Sequence, residues 1–230
     1  MYTILQKDNI VGHKKFLKQK NMKNNTNEES GYFDEMSKNW DQNSMRNQIA
    51  LNAARTMHKY ITLSKNSVML DFGCGTGLVS FYFYPHLQRL EGVDSSKGMV
   101  DEFNKKAAAE NFVNAGAKVF DLDRDQLTDN TYDVIVSSMV FHHIKDPQAL
   151  LKHLYDSLKN GGSLAIADLD EEDGSFHPPE AEGVHHNGFS RNLVKTWFEE
   201  SGYKNIQLST VMQLEKESGK YSIFLCVGKK

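Results

Sequence analysis

Cysteine is scarce: Cys74 and Cys226 are the only two in a chain of 230 residues, and neither belongs to a CxxC pair. Two thiols cannot build the disulfide framework of a small secreted domain, so the chain reads as made for a reducing compartment, the cytoplasm. Long apolar runs are missing too. The longest, around Leu78 to Tyr84, stops at Pro85, far short of the ~20 residues that span a bilayer. The N-terminus carries lysines with no apolar stretch behind them, so neither a secretory leader nor membrane attachment is expected. Charge of one sign does not dominate either. Against 27 Lys and Arg stand 30 Asp and Glu, a formal net charge of −3, which offers no overall pull toward nucleic acid. No internal repeat is visible. What is present, 39% hydrophobic residues, suffices for one core in one generous domain.

Residues 1–29 differ from the rest. They hold Lys7, Lys14, Lys15, Lys18, Lys20 and Lys23 among asparagines, and bury too little apolar surface to offset their ordering entropy. This segment reads as flexible or loosely helical, either a solvated tail or a basic docking arm. The folded domain spans residues 30–230, with a helical lid over 30–60 and a core over 61–230.

Within that domain strands and helices alternate. Ile49, Ala53, Met57 and Tyr60 share a helical face over Asn43 to Tyr60. Val68 to Leu70 reads as a buried strand, and Leu78 to Tyr84 as a helix. Further strands are expected at Arg89 to Val93, Ala117 to Phe120, Asp133 to Ser137 and Ser163 to Ala167. A helix covers Ser96 to Ala109. Another is capped by Asp146, opened by Pro147 and stopped by Gly161 and Gly162. Ser190 caps a helix that runs to Ser201. Ile206 to Leu214 and Tyr221 to Val227 form a closing antiparallel hairpin. The fold class is therefore α/β, a Rossmann-like, mostly parallel sheet with helices on both faces and an antiparallel edge.

The strongest signal is Val68-Met69-Leu70-Asp71-Phe72-Gly73-Cys74-Gly75-Thr76-Gly77. A buried strand runs into three alternate glycines, at the place where open α/β sheets bind ligands. Asp94 closes the next strand, 21 residues after Gly73, and suits a carboxylate that accepts ribose hydroxyls. Dinucleotide sites want the third glycine two residues after the second, to admit a pyrophosphate. Here it comes one residue after, and Asp71 precedes the loop. A carboxylate there repels pyrophosphate but holds an ammonium group, which favours S-adenosylmethionine over NAD.

This segment resembles motif I of the class I S-adenosylmethionine-dependent methyltransferases, and Leu90-Glu91-Gly92-Val93-Asp94-Ser95-Ser96 resembles their second motif. The resemblance runs from about Tyr32 to the C-terminus and is closest to small-molecule enzymes of the ubiquinone-methyltransferase type. It implies seven strands, with the last inserted antiparallel beside the fifth. It also implies S-adenosylmethionine as cofactor and S-adenosylhomocysteine as product. Asp71, Gly73, Cys74, Gly75, Thr76 and Gly77 would then face the methionine part, and Asp94, with Ser95 beside it, the ribose. Asp121 or Asp123 would meet the adenine amino group, with Leu122 beside the ring. Ser137, Ser138 and Met139 would floor the pocket. Met99 reads equally as an adenine contact or as a core methionine.

Tyr32-Phe33-Asp34-Glu35-Met36 and Asn39-Trp40-Asp41 precede the first long helix. Tyr32 and Trp40 are candidates for a lid whose aromatic faces meet a sulfonium; the alternative is that these aromatics only pin the helix. His142 and His143 follow the fourth strand and read mainly as packing residues. The stretch from Asp168 to Phe189 holds several acids with His177, His185 and His186. These three are the catalytic candidates, as base or substrate-orienting groups. Two other readings stand: a polar lid without chemistry, and a metal site, although no compact zinc spacing is present. A small-molecule acceptor is expected, with O, N, S or C left open, and no nucleic-acid partner. Ser137-Ser138-Met139-Val140 lacks the Asn/Asp-Pro-Pro-aromatic motif of amino-directed nucleic-acid enzymes. A protein or RNA methyltransferase and a non-catalytic binding subunit are the alternatives.

Overall fold

The computed structural model describes residues 26–178, 181 and 183–230, with backbone alone over 26–30. The Lys/Asn-rich segment lies outside the described residues up to position 25, and a helix, Thr26–Met36 (α1), begins directly after it.

Seven strands form one sheet: Val68–Phe72 (β1), Arg89–Asp94 (β2), Ala115–Val119 (β3), Tyr132–Ser138 (β4), Leu158–Leu169 (β5), Lys204–Lys216 (β6) and Gly219–Lys229 (β7). Their order is β3-β2-β1-β4-β5-β7-β6. The first five pair in parallel, and β7 is antiparallel to both β5 and β6. The antiparallel strand is thus not the edge. β7 lies inside the sheet because Ile223 through Val227 are all buried, whereas most of β6 is half-exposed and suits the rim. All five residues of β1 are buried, as a central parallel strand covered on both faces requires.

The helices are Ser44–Met57 (α2), Ser80–Phe83 (α3), Lys97–Ala109 (α4), Pro147–Ser157 (α5) and Arg191–Glu200 (α6). Side chains cap four of them. Asn43 Oδ1 accepts from Met45 N and Arg46 N, Ser96 Oγ from Met99 N, Asp146 Oδ1 from Ala149 N, and Ser190 Oγ from Leu193 N. Each satisfies amide donors that a helix start leaves free. Two expected boundaries move. The helix after the glycine loop shrinks to four residues and a 3₁₀ turn, Tyr84–His86, because Gly77 at φ +86° holds back its start and Pro85 its continuation. The helix opened by Pro147 ends at Ser157, ahead of Gly161 and Gly162, because the fully buried Leu158 is drawn into the sheet opposite Tyr132.

One face of the sheet is covered by α2, α3 and α4, where Ile49, Ala53, Met57, Phe83 and Phe103 pack on Met69, Leu90, Val134 and Val136. On the other face α5 and α6 set Leu150, Leu154, Val194 and Phe198 on Leu70, Ile135, Ile166 and Phe224. Among the described residues no helix is long and apolar enough to cross a membrane.

Phe198 tests the second layer. It is fully buried, with its ring centroid 4.8 Å from that of Tyr203. Phe198→Ala is expected to cost about 3–5 kcal/mol by loss of burial plus a cavity. Urea unfolding should show a lower midpoint at an unchanged slope.

Candidate functional site

The glycine loop joins the carboxyl ends of β1 and β2. Gly73 N and Cys74 N both donate to Val93 O, at 2.8 and 3.0 Å. Asp94 completes the junction: its Oδ2 accepts from Gly75 N at 2.8 Å and its Oδ1 from Ser96 N at 2.9 Å. The loop needs glycine for two separate reasons. At Gly73 (φ +71°) a Cβ would come within 2.3 Å of Val140 Cγ2, so the β4 turn rests directly on backbone. At Gly75 (φ +50°) a Cβ would meet nothing within 4 Å, so the loop there borders open space.

Asp71 lies beneath this opening. Its carboxylate is almost wholly buried, and Oδ2 has no hydrogen-bond partner. Burial pushes its pKa up to about 7 against the opposing pull of the nearby Ser80 hydroxyl, and the Asp94 carboxylate adds to the rise. Burial raises Asp94 as well, against the two amides that hold it, and Asp34 contributes in the same direction.

The segment before α2 reaches this junction through acids rather than aromatics. Asp34 Oδ1 accepts from Ser96 Oγ at 2.6 Å and from Gly98 N at 2.7 Å. Asp41 Oδ1 accepts from Thr76 Oγ1 at 2.5 Å, and its Oδ2 pairs with Lys106 Nζ at 2.6 Å. Tyr32 is half-exposed, its ring edge-on to Phe33. Trp40 carries the Arg46 guanidinium 3.6 Å above its ring centre, so one of its faces already holds a cation. Phe33 bridges Trp40 and His143, with centroids 5.8 and 5.4 Å away.

The other expected residues divide. Cys74 turns its buried thiol under the loop, where it fills the space beside Gly92. Burial raises its pKa well above the thiol range, so it is no nucleophile. Met99 is 1% exposed, in the manner of a core residue. Asp121 Oδ1 accepts from Asp123 N in a turn of its own, with Leu122 and Asp123 exposed. Ser95 is exposed beside Asp94, and Ser138 is half-buried. Ser137 is fully buried and donates to Phe72 O at 2.8 Å, joining β4 to β1.

The histidines regroup. His177 meets His142 and His143, with ring centroids 5.1 and 5.7 Å away. His142 Nδ1 faces Asp168 Oδ1 at 2.7 Å, both residues buried. His143 Nδ1 donates to Gly183 O at 2.8 Å. Burial, reinforced by His142, lowers His143 to about 3, and the same two causes lower His177 to about 4. Burial works to raise Asp168, but pairing with His142 more than reverses it and leaves the carboxyl below its usual range. His185 and His186 stand apart from this cluster: their backbone amides donate to His142 O, and His186 Nε2 faces Ile144 O at 2.9 Å. His142 and His143 are the residues whose part in the cluster the sequence hid. Adjacent in the chain, they gave no sign that a loop more than thirty residues later folds back onto them.

Comparison with known proteins decides the family. Residues 42–208 match the family described as "Methyltransferase domain", most of the chain. The chain belongs to this methyltransferase family, of the class I S-adenosylmethionine-dependent type. An uncharacterized methyltransferase of Schizosaccharomyces pombe is 36% identical over 154 residues, covering 61% of this chain and 54% of that protein. The ubiquinone biosynthesis O-methyltransferase of Coxiella burnetii is 27% identical over 146 residues, 62% of each chain. The match thus spans between half and two thirds of these relatives' length. Among solved structures, the phosphoethanolamine N-methyltransferase 2 of Haemonchus contortus, in complex with S-adenosyl-L-methionine, superposes with a TM-score of 0.64. That superposition has 15% identity over 77% of this chain and 52% of that one, a likeness of fold.

The methyltransferase cofactor fits what this chain presents. A buried acceptor atom without a hydrogen-bond partner, Asp71 Oδ2, suits a ligand that brings an ammonium group, and the loop that follows it has no neighbour against Gly75.

Asp71 also gives the protein a pH signature. Its pKa is about 7 in the folded chain, against about 4 for an unperturbed aspartate. Between those values the folded chain holds a proton that the unfolded one has released, so stability falls as pH rises through that window. Asp71→Asn should flatten much of this fall, leaving the part due to the similarly raised Asp94, and be more stable than the parent at pH 8, by up to a few kcal/mol, but not at pH 4. Urea midpoints at the two pH values check it; parallel pH profiles would refute the assignment.

Proposed function

We propose that the chain transfers the methyl group of S-adenosylmethionine to a small-molecule acceptor, and that Asp71 and Asp94 hold the cofactor's two polar ends. The observation that carries this reading is the buried Asp71 carboxylate, whose Oδ2 has no hydrogen-bond partner, at the end of the strand that leads into a glycine loop open at Gly75. Asp71 receives the ammonium of the methionine part. Asp94, already fixed by two amides, keeps lone pairs for ribose hydroxyls, each charge-assisted bond worth ~1.5–3 kcal/mol. The backbone of Gly73, Gly75 and Gly77 lets the cofactor lie close, and Asp34 and Asp41 fasten the N-terminal segment over it. That closure excludes water and fixes the line of attack.

Bound, the cofactor supplies an electrophilic methyl group on a sulfonium. The acceptor's lone pair forms the new bond to carbon as the sulfur–carbon bond breaks, and S-adenosylhomocysteine leaves. Of the three loop histidines, His177 is best placed to act on an acceptor, since it lies with His142 and His143 next to Phe33 of the lid segment. A small acceptor is supported by the weakly acidic charge of the chain. The activity of one relative, a ubiquinone biosynthesis O-methyltransferase, and that of a protein of like fold, a phosphoethanolamine N-methyltransferase, point the same way.

Calorimetric titration with S-adenosylmethionine, S-adenosylhomocysteine and NAD tests the reading. The first two should bind and NAD should not. Gly75→Val and Asp94→Ala should each lower affinity at least a hundredfold while circular dichroism stays that of a folded chain; NAD binding, or undiminished binding by both folded variants, would sink it. Affinity should also climb as pH rises through about 7, where Asp71 ionises. It should flatten near pH ~8, where an α-amino group loses its proton. A pH-independent affinity below 7 would remove Asp71 from the ammonium site.

A further inference from the structure

We propose that His142, His143 and His177 form a binding site for one divalent transition-metal ion of the zinc type, oriented by Asp168. One ring nitrogen from each histidine lies within 4.8 Å of the other two. A tetrahedral ion with bonds of about 2.0–2.1 Å needs ligand nitrogens about 3.4 Å apart. The closing movement is therefore small, and His177 sits on a loop able to make it.

The hydrogen bonds around the cluster have already chosen which nitrogens are free. His142 Nδ1 is held by the Asp168 carboxylate and His143 Nδ1 by the Gly183 carbonyl. Both rings carry a hydrogen on that side, which leaves Nε2 of each as the nitrogen able to ligate. A carboxylate behind a histidine in this way fixes its tautomer and makes it a better ligand. His142 Nε2 and His177 Nε2 are both buried with no hydrogen-bond partner. A buried polar atom left without a partner destabilises the fold, a penalty that a shared ion relieves. Three imidazoles without an oxygen ligand select zinc, cobalt, nickel or copper over magnesium or calcium. Three protein ligands leave a fourth position open, which water fills in the resting protein.

The surroundings are built to keep the site together. The β5–α6 loop that carries His177 is closed at its neck by the Asp170–Arg191 ion pair, with contacts of 2.7 and 2.6 Å. Glu172 Oε2 accepts from Gly174 N and Phe176 N inside the loop, and Phe176 is buried. Phe33 lies edge-on to His143 and Val140 rests on Gly73, so the ion would sit beside the glycine loop.

The test uses the full chain, stripped with chelator and titrated with cobalt(II), then with zinc(II). One equivalent of cobalt should bind and give the intense visible absorption of a four-coordinate ion, and zinc should displace it. His177→Ala should weaken binding at least a hundredfold and remove that absorption. Asp168→Asn should weaken it ten- to a hundredfold, and His86→Ala should leave it unchanged. Circular dichroism of each metal-free variant confirms the fold. S-adenosylhomocysteine titration of the same samples reports the cofactor loop separately, because metal binding does not rest on the methyl-transfer reading. Binding of less than a tenth of an equivalent would overturn the site. So would affinity that ignores both His177→Ala and Asp168→Asn in folded protein.

Discussion

One carboxylate, Asp94, accepts the amides of Gly75 and Ser96 and so makes two strand-to-helix turns into a single surface. The segment before α2 depends on that surface. Asp34 bonds to Ser96 Oγ and Gly98 N, and Asp41 bonds to Thr76 in the loop. These acids crowd together: Asp71 feels the charge of Asp94, and Asp94 that of Asp34. Lysine neutralises Asp41 alone, through Lys106. The centre of the site is therefore a cluster of acids around one buried carboxyl, which a cationic ligand relieves. A site of that sign is consistent with a cofactor bearing an ammonium and a sulfonium, and is hostile to pyrophosphate.

A second polar centre lies at the ends of β4 and β5, with the opposite design. There one acid, Asp168, is matched to one histidine, His142, and two further imidazoles are kept neutral by burial and by each other. The two centres meet through Val140, whose side chain covers Gly73, and through Phe33, which joins the lid to His143. Binding at one centre is thereby in direct packing contact with the elements that build the other.

Much of this was legible in the sequence. The strand signature before Asp71, the alternate glycines and the acid closing β2 follow from local geometry: a parallel strand, a turn with positive φ and a helix cap are each specified within a few residues. The caps Asn43, Ser96, Asp146 and Ser190 sit where short-range hydrogen bonding puts them. Less legible was what neighbours would claim. Ser137 and Ser138 follow β4 and look like pocket residues, yet the Ser137 hydroxyl is engaged by the β1 carbonyl of Phe72. Cys74 stands in the loop but turns its thiol under it. In the lid segment the aromatics drew notice, while the attachment is made by Asp34 and Asp41.

By itself the sequence determined the layered α/β arrangement, the family and the positions of Asp71 and Asp94, because hydrophobic period, glycine spacing and capping act over short stretches of chain. Tertiary structure alone decided that the Ser137 hydroxyl would be taken by the β1 carbonyl of Phe72, since a partner 65 residues away in the chain is set by strand pairing and not by local pattern. It also decided that His177 would leave His185 and His186 and join His142 and His143. That meeting is set by the closure of one long loop on the far end of another strand, and no local pattern encodes such a distance.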